Sequence, residues 1–216
     1  MNLPHLHIGI DFDNTLVSYD DLFYRCALER KLIPPALAPT KSAVRAYLWA
    51  QPDGNTPWTE LQGEVYGRRM DEAVPFPGAL EFLSFCREHG FRVSIISHKA
   101  EYPALGPRTN LRTASLRWMT ARRFFNAHAG GLKRADVFFE SSRENKIGRI
   151  GSKKCTHFID DLPELLTDPA FPPSTQRLLF DHYNEKPELA QILVFPSWQE
   201  ILRYFAELTN EFTKSR

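Results

Sequence analysis

Four short apolar runs in this chain stop abruptly at residues that can do chemistry. His7-Ile8-Gly9-Ile10 runs into Asp11, with Asp13 two positions on. Phe91 to Ile96 runs into Ser97, Val137-Phe138-Phe139 ends at Glu140, and Thr156-His157-Phe158-Ile159 ends at the pair Asp160-Asp161. If Asp11, Asp13, Asp160 and Asp161 meet, the carboxylates repel one another and some of their pKa values rise, unless a hard cation or a lysine offsets the charge. Such a cluster asks for Mg²⁺, which prefers oxygen ligands. Each residue alone has a plainer reading: an Asp or Ser behind a strand commonly caps a helix or closes a turn, and Lys146 would be a solvated helix lysine. The functional reading depends on whether the fold brings them together.

The elements between these residues favour convergence. The apolar runs lack the alternation of a half-exposed antiparallel sheet and read as buried parallel strands, with less distinct strands at Arg177 to Phe180 and Ile192 to Phe195. Helical patterns separate them: Gly78 to His89, stopped by Gly90; Leu111 to Phe125; Glu144 to Ile150; and a last helix capped by Ser197, with Trp198, Ile201, Leu202 and Phe205 on one face. This alternation predicts an α/β fold, a Rossmann-like three-layer α/β/α core with a mainly parallel sheet. The carboxyl ends of such strands share one edge, where ligands bind. Tyr19 to Val74 interrupts the pattern, with helices expected near Asp20 to Leu32, Lys41 to Gln51 and Thr59 to Glu72, separated by Pro34-Pro35, Pro39 and the Pro52-Asp53-Gly54 turn. It reads as a small helical insertion, residues 19–74, in a core built from 1–18 and 75–212. Thr213 to Arg216 is expected to fray.

With these residues and elements in order, the chain resembles the haloacid dehalogenase superfamily at each of its motifs. Asp11-Phe12-Asp13-Asn14-Thr15-Leu16 is similar to the first. The resemblance implies that Asp11 attacks phosphorus to form an aspartyl-phosphate, while Asp13 protonates the leaving oxygen and later deprotonates the hydrolytic water. Ser97 resembles the second motif, whose hydroxyl and neighbouring N–H groups bind phosphoryl oxygens. Lys146 resembles the third, a lysine that pairs with the nucleophile; Lys153 and Lys154 compete for this role but are less well placed. Phe158-Ile159-Asp160-Asp161-Leu162-Pro163-Glu164 resembles the fourth. It makes Asp160 the nearer Mg²⁺ ligand, with Asp161 ligating or touching an inner-shell water, beside Asp11 and the backbone carbonyl of Asp13. The insertion sits where the family places a C1 cap. Asp13 favours a phosphomonoesterase, because members that dehalogenate or cleave phosphonates lack an aspartate there.

Substrate choice is less legible. Residues 98–112 form a polar, proline-rich connection of a length that is often functional. His98 is a candidate for the substrate phosphate, and Lys99, Arg108 and Arg112 for an anionic substrate beyond its phosphoryl group, against the alternative of a solvated loop. The Ser97-His98-Lys99 stretch also resembles uncharacterised members associated with surface-polysaccharide biosynthesis, which points to a sugar phosphate. Tyr19, Phe23, Tyr24, Tyr47, Trp49 and Trp58 form either an aromatic wall for a ligand or the core of the insertion. Arg68, Arg69 and the basic stretch Arg117, Arg122, Arg123, Lys133 and Arg134 read equally well as surface charge. His89, His128 and His182 have no metal-ligand spacing.

At 216 residues, 43% hydrophobic and 25% charged, the chain has the composition of a folded domain, and a net charge of +1 gives it no field to hold a polyanion. Nucleic acid is therefore not a favoured partner. Cys26, Cys86 and Cys155 are odd in number, fit no metal spacing, and read as buried free thiols of a cytosolic protein. There is no run of about 20 apolar residues to span a bilayer, and Met1 to His7 carries no leader pattern, so a cytoplasmic location is expected. The reading that follows is a Mg²⁺-dependent phosphohydrolase acting on a small phosphorylated metabolite. Its alternatives are a nucleotide or nucleic-acid-end phosphatase and a non-catalytic phospho-ligand-binding protein.

Overall fold

The computed structural model describes residues 6–184 and 190–214, with side chains in the last helix as far as Asn210. In chain order the elements are β1 (His7–Ile10), β2 (Val17–Ser18), α1 (Asp20–Glu29), α2 (Lys41–Trp49) and α3 (Asn55–Gly63). A π-helical turn, Glu64–Arg68, a 3₁₀ turn, Met70–Glu72, and β3 (Val74–Pro75) follow. Then come α4 (Ala79–Glu88), β4 (Arg92–His98), α5 (Leu111–Ala121), a 3₁₀ turn at Arg134–Asp136, β5 (Val137–Glu140) and α6 (Arg143–Ser152). The chain finishes with β6 (His157–Asp160), α7 (Pro163–Leu166), β7 (Gln176–Phe180), β8 (Ile192–Phe195) and α8 (Trp198–Lys214). Two compact units result: Met1–Leu16, Pro75–His98 and Arg123–Arg216 form one, and Val17–Val74 with Lys99–Arg122 form the other.

The first unit is the α/β core. Its sheet runs β5-β4-β1-β6-β7-β8 with every adjacent pair parallel, a Rossmann-like arrangement. All four residues of β1 are buried, as a central parallel strand requires. Successive strand residues face opposite sides, and this separates two helical layers. Phe158, Ile96 and Leu179 pack in one apolar cluster with Ile147 and Ile150 of α6 and Leu165 and Leu166 of α7. His157, one position before Phe158, faces the other way and meets the Phe205 ring of α8 at 5.0 Å. There α4 packs on α8, with Phe82 5.1 Å from Trp198 and 5.3 Å from Phe205. Each such side chain contributes roughly 1.5–3 kcal/mol by leaving water. Gly9 is needed at the centre: a Cβ there would lie 2.4 Å from the Phe158 ring and 3.0 Å from Cys155 Sγ.

The second unit is helical, with β2 and β3 as a two-stranded ladder at its chain crossings. Tyr19, Phe23 and Trp58 are almost wholly buried in it, so these aromatics are core rather than a ligand wall; Trp49 alone of the six is strongly exposed, beneath the Arg45 guanidinium. The sequence pattern leaves 99–122 with the sheet, yet in the structure this segment belongs to the helical unit. Trp118 of α5 is fully buried and donates its indole N–H to Ala73 O at 2.8 Å, and Arg122 donates to the same carbonyl. Local pattern could not reveal these contacts, because they are made 45 and 49 residues away.

Several helix ends differ from expectation for identifiable reasons. The Leu111 helix stops at Ala121 rather than Phe125, because Arg123 adopts a left-handed conformation at φ 67°. The helix expected over Thr59 to Glu72 is divided into α3, a π turn and a 3₁₀ turn. Gly63 and Gly67 admit the returning loop there: a Cβ on Gly63 would meet Leu105 O at 2.1 Å, and one on Gly67 would meet Thr109 Cβ at 3.1 Å. Conversely, α8 runs past Phe205 to Lys214, its inward position at 209 held by a buried threonine that masks the apolar period. Of the tail expected to fray, Thr213 and Lys214 are helical, while Ser215 and Arg216 lie outside the described residues. No helix among the described residues is long and apolar enough to cross a membrane.

Candidate active site

Strand order in the core unit reverses between β1 and β6, the switch point where parallel α/β sheets bind ligands. Asp11 follows β1 there. Its N–H continues the ladder to Ile159 O at 2.9 Å, and it is 5% exposed. Phe12 turns inward, edge-on to Phe139 at 6.0 Å, so the Asp-Phe-Asp spacing anchors the turn through its middle residue. Asn14 takes a left-handed φ of 59°, which asparagine tolerates, and Leu16 N–H closes on Phe12 O at 3.0 Å.

Lys146 stands one turn into α6, whose Ser142 hydroxyl caps the helix by accepting from Asn145 N–H. Its side chain is 2% exposed and donates from Nζ to Asp11 Oδ1 at 2.5 Å and to Asp160 Oδ2 at 2.6 Å. Lys146 thus bridges the two central strands. The second oxygen of Asp160, Oδ1, accepts Leu162 N–H at 2.9 Å, and no part of Asp160 is exposed. Asp161 is half-buried; Thr15 Oγ1 lies 3.4 Å from its Oδ1, and Thr15 O in turn accepts the indole N–H of Trp198 at 2.9 Å. Asp11, Asp160 and Asp161 each offer an oxygen within 4.8 Å of the others. Three carboxylate oxygens make a hard donor set that suits a small divalent cation such as Mg²⁺.

Electrostatically the cluster is held at a cost. Burial pushes the Asp11 carboxyl up to about 6, Lys146 pulls it back, and the carboxylates of Asp160 and Asp13 add to the rise. Burial alone would discharge Lys146, but Asp11 and Asp160 outweigh it and hold the ammonium above its ordinary range.

Of the residues singled out by sequence, Asp11, Lys146, Asp160 and Asp161 come together. Asp13 is close enough to act on Asp11 electrostatically but stands outside the three-carboxylate group. Ser97 is buried inside β4, paired with Phe139, rather than just beyond the strand. His98 is the next residue of β4, alternates to the other face and is exposed, so it does not join the group. Lys153 lies over the Phe138 ring at 4.2 Å and is not a competitor for Lys146. Arg117 and Arg122 are engaged with Asp71 and with backbone carbonyls. The sequence did not disclose the contacts of Thr15 with Asp161 and Trp198, or the burial of Asp181. Asp181 is a 3% exposed carboxylate directly after β7, and its signal was the same as that of Asp11: Leu178-Leu179-Phe180 ends in an Asp.

No family model and no curated protein matches this sequence. Solved structures do match its fold. A haloacid dehalogenase-like family hydrolase from Xanthomonas campestris superposes with a TM-score of 0.57 at 8% identity, over 99% of this chain and 100% of its own. A HAD hydrolase from Bacillus subtilis, described as bound to magnesium, gives 0.55 at 15% identity over 93% and 98%. A HAD family hydrolase from Deinococcus radiodurans with bound phosphate and sodium gives 0.54 at 16% identity over 96% and 97%. At such identities the likeness establishes the fold.

Proposed function

We propose that this chain is a Mg²⁺-dependent phosphohydrolase that transfers the phosphoryl group of a small phosphorylated metabolite to Asp11 and then to water. The observation that carries the reading is the Lys146 ammonium bridging Asp11 and Asp160 at the sheet's switch point, with Asp161 completing the acidic group. The fold neighbours are named as hydrolases, one with magnesium and one with phosphate bound, which agrees with this chemistry.

Lys146 fixes one oxygen of Asp11 and so directs the other toward phosphorus. A bond forms from the Asp11 carboxylate to phosphorus as the bond from phosphorus to the ester oxygen breaks. Asp13 gives its proton to that departing oxygen, which as an alkoxide is too basic to leave unaided; a halide would need no such proton. Asp13, now ionised, takes a proton from water, whose oxygen attacks phosphorus and releases phosphate, restoring Asp11. Ser97 and Lys146 donate to the phosphoryl oxygens. Held by Asp11, Asp160, Asp161 and the backbone carbonyl of Asp13, Mg²⁺ would neutralise charge on the transferring group.

Phosphate release from a panel of phosphorylated metabolites, sugar phosphates included, and from p-nitrophenyl phosphate should require Mg²⁺. Asp11→Asn should lower it by at least about 1000-fold, the scale of losing an activated nucleophile, with circular dichroism unchanged. Full turnover in that variant would refute the mechanism.

A further inference from the structure

A cavity lies wholly within the α/β unit at the amino end of β4, the opposite end from the carboxyl edge that carries Asp11. Its volume is about 480 Å³, inside the range of roughly 300–1,000 Å³ typical of small-molecule sites. The sheet register opens it: β5 begins opposite Ile95, so Arg92 to Ser94 extend past the start of β5, and the chain from Gly130 to Lys133 lines the space beside them. The length of β4 carries this end roughly 20 Å from the carboxyl edge, so the cavity is no part of the acidic group. Its buried side chains are apolar: Leu83 of α4, Phe91 and Leu132 are each 7% exposed or less. Its wall is fixed by hydrogen bonds. Arg87 Nη1 donates to Ala127 O at 2.7 Å and Ala129 O at 2.9 Å, Gly131 N–H to Asn126 O at 2.9 Å, and Leu132 N–H to Phe124 O at 3.0 Å. The Arg87 head is thus committed to the backbone. Arg92 and Lys133 are exposed cations of the lining whose side chains make no hydrogen bond or ion pair among the described residues, and Asp136 is the one acid beside them. A preformed apolar pocket with an excess of positive charge on its lining is complementary to an organic anion that has an apolar body.

We propose that this cavity is a second ligand site, which takes a small organic acid with its apolar body against Leu83, Phe91 and Leu132 and its carboxylate toward Arg92 and Lys133. The site is independent of the phosphohydrolase reading, because no residue of the acidic group lines it. The probe is 2-naphthoate, titrated by calorimetry into the metal-free full chain. Wild type should bind it, whereas acetate, which lacks the rings, and 2-naphthamide, which lacks the charge, should each bind at least about tenfold more weakly. Arg92→Gln combined with Lys133→Gln should raise the Kd for 2-naphthoate at least about tenfold. Both positions are exposed, so the double variant reads the ligand and not the fold, and an unchanged circular dichroism spectrum checks this. Arg203→Gln, an exposed arginine on α8 of the same unit, should leave binding unchanged, and so should Asp11→Asn. The site is overturned if 2-naphthoate does not bind, if acetate or the amide binds as tightly, or if Arg203→Gln weakens binding as much as the double variant does. Weakening by Asp11→Asn would put the probe at the acidic group and overturns it equally.

Discussion

Lys146 does two jobs at once, because its ammonium pairs with both Asp11 and Asp160. Removing one partner of a buried ionic cluster costs more than the cluster is worth, about 3–5 kcal/mol, since the remaining charges stay out of water. Lys146→Met should therefore lower the stability of metal-free protein by about that amount at pH 7.5. At pH 5, below the value of about 6 to which burial lifts Asp11, that carboxyl is protonated in the folded state, so the loss should be smaller. Urea unfolding at the two pH values measures this, and an equal loss at both would contradict it. The same proton competes with a cation. Mg²⁺ should raise the melting temperature at pH 7.5 and have little effect at pH 5, where Asp11 holds a proton. Within the acidic pair the labour divides by geometry. Both oxygens of Asp160 are already engaged, by Lys146 and by Leu162 N–H, whereas Asp161 is half-exposed. Asp161→Asn should erase the Mg²⁺-induced rise while altering the metal-free melting temperature little, and Asp160→Asn should lower the metal-free value. A full Mg²⁺ response in Asp161→Asn would reverse that assignment.

At the scale of elements, the site depends on how closely β1 approaches β6. Gly9 allows this approach, and the ring that a Cβ there would strike, Phe158, has the Lys146 ammonium 5.6 Å from its centroid. Gly9→Ala should displace that ring, costing about 1–3 kcal/mol of overpacking, or roughly 2–12 °C of melting temperature for a chain of this size. It should also weaken Mg²⁺ binding through Lys146. A melting curve within 1 °C of wild type would show that Phe158 yields freely. The strands of this sheet were legible because each central parallel strand writes a mostly apolar run, and Asp11 and Asp160 stand where two of those runs end. The same rule places Asp11 and Asp160 at the carboxyl edge, where the structure has them. Features that were not legible have non-local causes. Trp118 ties α5 to the helical unit through a carbonyl 45 residues away, the π turn at Tyr66 accommodates a loop some 40 residues on, and Thr209 occupies an inward position with a polar side chain. The position of His98 has a local cause: β4 continues through it, so strand alternation turns it away from Ser97.

Across the whole molecule, stability against pH is set by buried titratable groups at opposite ends of the core sheet, and they act with opposite signs. Asp11, at the carboxyl edge, has a folded pKa of about 6, raised by burial above its ordinary value of 3.8. The metal-free folded state therefore binds a proton more tightly than the unfolded chain, and this group favours folding increasingly as pH falls from about 6 toward 4. His157, at the amino end of β6, is pushed by burial from 6.5 down to about 4 and packs on Phe205 and Tyr204. His7 nearby is also lowered, by burial and then by Arg92, with its ring bonded to Ser94 Oγ at 2.9 Å and Lys153 O at 2.8 Å. The His157 imidazole stays neutral in the fold while the unfolded chain takes up a proton there. The stability it contributes is complete above about pH 6.5 and is lost as pH falls toward 4, and the lowered His7 acts with the same sign. On the proposed reading Mg²⁺ should sharpen the asymmetry, because a cation at Asp11 would suppress the compensating proton uptake there. With saturating Mg²⁺, stability should fall between pH 6.5 and 4.5 more steeply than in its absence. His157→Phe, which keeps the aromatic contact with Phe205 and removes the titration, should recover on the order of 2–3 kcal/mol of the acid loss. Urea midpoints taken at half-unit pH intervals decide the matter: if His157→Phe and wild type lose stability in parallel from pH 6.5 to 4, the imidazole is not the group that limits this fold in acid.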